Sequence, residues 1–109
     1  MAIPHALPGQ VVDVLPPGAN LCDAKTVALF KSQDLEVMRL VLQAGKSLPP
    51  HKVPGEITIH CVAGAMSVTA EGAEHILRSG QLLYLRGCAL HDVKALEDMC
   101  AIVTVALVT

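Results

Sequence analysis

Short runs of β-branched and aliphatic residues recur along this chain at roughly 8–12-residue spacing, each closed by a turn signal. No stretch carries the apolar stripe of a helix of three or more turns. Val27 to Lys31 and Glu36 to Leu42 flank Ser32-Gln33-Asp34 and predict a hairpin. Met66 to Ala70 and Ala73 to Leu77 flank Glu71-Gly72, a tight two-residue turn. Ile57 to Ala63 ends at Gly64, and Gln81 to Leu85 ends at Arg86-Gly87-Cys88. His91 to Ala95 and Cys100 to Val108 complete the set. Pro49, Pro50 and Pro54 interrupt Gly45 to Gly55, which therefore cannot be a regular helix or a central strand throughout. Such a pattern predicts an all-β sandwich or barrel.

The 109 residues suffice for one domain, and only 2% are aromatic, so the core must be built from Val, Leu, Ile and Ala. The last run is apolar on both faces: Ile102, Ala106 and Val108 on one, Val103, Val105 and Leu107 on the other. A sheet with one wet face alternates apolar with polar. Two-sided apolarity in a chain this small predicts a homodimer that covers the outer face. A net charge of -2 with no basic run argues against nucleic acid as a partner. No apolar run approaches the ~20 residues of a membrane helix. Met1 to Gly9 do not read as a secretory start. Cys22, Cys61, Cys88 and Cys100 show no CxxC spacing, so free thiols in the cytoplasm are expected. Pro4, Pro8, Pro16 and Pro17 suggest an extended arm over residues 1–22, with the barrel domain spanning 23–109.

Two segments carry paired spacings. Gly45 is followed by five residues and then His51, and Gly64 closes that segment. Gly80 is followed by five residues, Arg86-Gly87-Cys88, two more residues and His91. Fifteen residues separate Gly64 from Gly80. Together these resemble the two motifs of the cupin superfamily, in its small, single-domain, RmlC-like form. The resemblance covers about Val27 to Leu107 and implies a double-stranded β-helix, the jelly-roll type of barrel. In the family three His and one Glu bind a divalent metal inside the barrel. Those positions fall here on His51, Val53, Ile57 and His91, so two ligands are kept and two are aliphatic.

Glu56 adjoins the family's Glu position, and a bulge at Pro54-Gly55 would turn it inward to join His51 and His91. With that third ligand the site would hold one divalent transition metal (Zn, Fe, Ni or Mn) weakly. By strand alternation from Ile57, Cys61 points inward and His60 outward. The expected ligand pocket comprises Val53, Ile57, Cys61, Leu85, Arg86 and Cys88. His5 and His75 read as solvated residues. No GxSxG, HExxH or phosphate-binding glycine loop is present. The expectation is a barrel that binds a small molecule, with no catalysis assigned. A metal-dependent dioxygenase or isomerase and a ligand sensor acting through a regulatory partner are the alternatives.

Overall fold

The computed structural model describes residues 5–15 and 25–108. Cys22 and the expected boundary between arm and barrel lie outside them. Nine strands follow in order: β1 (Val27–Lys31), β2 (Leu35–Leu42), β3 (Ser47–His51), β4 (Ile57–Ala63), β5 (Ala65–Ala70), β6 (Ala73–Arg78), β7 (Leu82–Leu85), β8 (His91–Ala95) and β9 (Met99–Ala106). They form two antiparallel sheets, ordered β1-β2-β9-β4-β7 and β3-β8-β5-β6. This is the jelly-roll barrel that the strand spacing and the motifs lead one to expect. The β5–β6 hairpin closes on Glu71 and Gly72, both at positive φ, as a two-residue turn matched to strand twist requires.

The strand β3 is the element that the prolines hid. Pro49 and Pro50 lie inside it, which the missing N–H groups allow because β3 is the edge of its sheet. Leu48 stands opposite Val93, but His51, not Pro50, stands opposite His91. One extra residue is therefore accommodated at the two prolines. Without it, alternation from the inward-packed Leu48 would put His51 on the outer face. The bulge restores it to the same face as His91.

The core lies between the sheets and is aliphatic, as the composition demands. Ile59, Met66, Val68, Cys61 and Met99 are almost wholly buried, and no aromatic residue joins them. Phe30 is half-buried on β1, and Tyr84 is exposed on β7. Gly64 links β4 to β5 with φ at 81°. A Cβ there would overlap the backbone carbonyl oxygen of Asp98, so this glycine of the first motif is required twice over, by its dihedral and by the close approach.

The outer faces of the two sheets differ. That of the four-stranded sheet carries Thr69, Asp92 and Lys94 and reads as a wet face. That of the five-stranded sheet carries Val37, Val41, Val62 and Ile102, all half-buried. Arg39 sits among them, only 7% exposed, with its Nε donating to the carbonyl of Lys25 at 3.2 Å. The described part of the arm reaches the same sheet, where the Ala6 N–H donates to the Leu29 carbonyl at 2.9 Å.

Candidate functional site

An apolar cavity of about 290 Å³ opens into the barrel between the two sheets. Alternation decides what lines it: Met38 and Leu40 from β2, Ile57 and Ile59 from β4, Val103 and Val105 from β9. These side chains are too small to fill the space between the sheets as aromatic ones would. Beyond the end of β9, Leu107 and Val108 form part of the rim, with the Leu107 N–H bonded to the Asp34 carbonyl.

The two motif histidines meet here. His51 and His91 are cross-strand partners, and their ring centroids lie 4.5 Å apart at an interplanar angle of 53°. His51 is exposed at the mouth, whereas His91 is 4% exposed. The His91 Nδ1 lies 2.9 Å from the Ala89 carbonyl, and the His51 Nδ1 lies 3.3 Å from the Pro49 carbonyl. A carbonyl can only accept, so each Nδ1 carries its proton, and in the neutral ring Nε2 is the free acceptor. Among the described residues no buried side-chain nitrogen or oxygen lacks a partner, and the Nε2 of His91 has none in the protein. That nitrogen therefore keeps some accessible surface, and His91 is among the residues that line the cavity.

Val53 and Ile57 line the same cavity, as the motif spacing requires. Other expected members do not come to it. Glu56 is exposed, and its carboxylate accepts a 2.8 Å hydrogen bond from the Tyr84 hydroxyl, which raises the Tyr84 pKa. No bulge occurs where β4 begins: Ile57 pairs with both Leu85 and Val105, and the Ala106 N–H bonds to the Glu56 carbonyl. Unbroken alternation therefore holds Glu56 outward. Cys61 is fully buried one inward position beyond Ile59, with its Sγ 3.6 Å from the carbonyls of Ala63 and Gly64. Burial pushes its thiol pKa up, as it does for Cys100.

Leu85 packs in the core and borders a separate shallow hollow with Arg86 and Glu71. Arg86 is exposed and ion-paired to Glu71 at 2.6 Å, which holds the guanidinium protonated. Cys88 is exposed at a positive φ of 63°, with its N–H tied to the Val53 carbonyl. One lining residue was not expected. Glu36, half-buried on β2, shares the inward face with Met38 and Leu40.

No three His, Cys, Asp or Glu side chains converge on a possible metal position among the described residues. With aliphatic side chains at two of the four family positions and Glu56 turned away, the residues present do not fit the family's ion.

The chain matches the Cupin domain family over residues 38–107. No curated protein sequence matches it. Solved structures match its fold. A conserved protein of unknown function from Streptococcus pyogenes, SPY1581, is 18% identical, with a TM-score of 0.78 over 100% of this chain and 96% of that one. An RmlC-like cupin from Desulfovibrio desulfuricans is 24% identical, with a TM-score of 0.75 over 89% of this chain and 96% of that one. KdgF from Halomonas is 23% identical, with a TM-score of 0.69 over 77% and 80%. With the family match covering most of the chain and both motif histidines in the barrel, this protein belongs to the cupin family.

Proposed function

We propose that this cupin binds a small, largely apolar molecule in the cavity between its sheets. The observation that carries this reading is the cavity itself: aliphatic walls with a few converging polar groups, the usual make-up of a small-ligand site. At about 290 Å³ it admits only a compact guest. Benzyl alcohol is a suitable probe, with an expected dissociation constant on the order of a tenth to one millimolar. Met38 lines the cavity and is half-buried, so Met38→Trp should fill it without disturbing the core. Calorimetry should show binding to the native chain and at least about tenfold weaker binding to the variant, with melting unchanged. Equal binding by both chains would place the probe elsewhere and defeat the proposal.

The same reading includes a homodimer in a reducing, cytoplasmic setting. Among the described residues Cys61, Cys88 and Cys100 are free thiols, which supports the compartment. The half-buried Val37, Val41 and Ile102 on one outer sheet face support the dimer. Light scattering at micromolar concentration should give twice the chain mass. A monomer at that concentration would rule the dimer out.

A further inference from the structure

The cavity's side-chain hydrogen-bonding groups share one property. In their neutral form His51 and His91 each offer a free Nε2 lone pair, because each Nδ1 proton is engaged by a carbonyl. Glu36 adds a carboxylate, which only accepts. Its ladder partners are Lys31 and Val105, and Lys31 is exposed, makes no ion pair with it and does not line the cavity. The Glu36 carboxylate has no hydrogen-bond partner among the described residues. Among the described residues no Lys or Arg lines the cavity, and Glu36 is the carboxylate that does.

An apolar chamber furnished only with acceptors is matched by a guest that brings donors. A carboxylate or phosphate would meet lone pairs and a like charge in a partly desolvated space, where such mismatches cost most. We propose that the cavity selects a compact apolar molecule bearing an ammonium group, that it rejects anions, and that Glu36 sets this preference. The proposal deepens the small-molecule reading and rests on it.

Three probes of one shape separate the possibilities: benzylamine, benzyl alcohol and benzoate, titrated by calorimetry at neutral pH into the native chain, Glu36→Gln and Glu36→Thr. Gln keeps the shape and removes the charge, and Thr suits a strand, so one of the two serves if the other is poorly folded. Benzylamine should bind the native chain best and benzoate worst. Both variants should weaken benzylamine by about tenfold or more, the scale of one charge-assisted hydrogen bond. Benzyl alcohol should change by less than about twofold. If benzyl alcohol binds while benzylamine shows no advantage, or keeps its advantage in both variants, the role of Glu36 is overturned and the cavity reading stands. If none of the three binds, the cavity reading falls and takes this inference with it.

Discussion

Gly64→Ala should lower the unfolding free energy by about 2–5 kcal/mol, the sum of a left-handed backbone penalty and a backbone overlap. The first contribution follows from φ at 81°. The second follows from the Asp98 carbonyl oxygen, which occupies the place a methyl group would need. Gly72→Ala separates the two. Gly72 has φ at 82° but open space where its Cβ would stand, so it should lose only about 1–2 kcal/mol. Urea denaturation of both variants, read at unchanged m-value, gives the comparison. Equal losses would mean that the approach of Gly64 to the Asp98 backbone carries no energy. A small domain has only about 5–15 kcal/mol of stability, so the larger loss endangers folding at body temperature.

Restoring the family's ligands at the two aliphatic positions should have an even larger effect on metal uptake. Val53 and Ile57 already face the chamber that holds the histidine pair, so Val53→His with Ile57→Glu places four ligand-type side chains around one space. The metal-free double variant should be less stable than the native chain by about 2–4 kcal/mol, because Ile57 is 4% exposed and a carboxyl group there lacks water. Added Zn(II) or Ni(II) should return that stability, by about 2.7 kcal/mol at a hundred times the dissociation constant. Affinity should exceed that of the native chain by about a hundredfold or more, since two imidazoles alone are half of a four-ligand set. Melting with and without the ion, together with metal content after desalting, measures both effects. A double variant that retains no more metal than the native chain would show that the four positions do not converge.

The fold was legible because strand length, turn residues and two motif spacings agree with one another. The His51–His91 pair was legible for the same reason: spacing along two motifs locates residues that lie forty apart in sequence. Side-chain direction outside regular strands was not. Arg86 and Cys88 sit in a turn, where alternation gives no guide, and Cys88 adopts a left-handed backbone that spacing cannot foresee. Glu36 was missed because β2 carries a charge on each face, Glu36 on one and Arg39 on the other, so neither face stands out as the core side. A bulge at Pro54-Gly55 would turn Glu56 inward, but β4 pairs regularly from Ile57 to Cys61. The displacement that does occur is one strand earlier, at Pro49-Pro50. Nor could β3 be read as a strand, since its two prolines are acceptable only at a sheet edge, and edges are set by the whole topology.

Those two prolines also bear on whether the four-stranded sheet can grow from its β3 edge. An exposed strand with a full row of N–H donors invites further strands from other molecules, the first step toward fibrils. Neither Pro49 nor Pro50 can donate an N–H, and the irregularity between Leu48 and His51 spoils the flat template that a foreign strand would need. One dipeptide thus aims an imidazole into the barrel and guards the flank against polymerisation. A change that straightened β3 would turn His51 to the outer face and restore a regular, exposed edge in the same stroke.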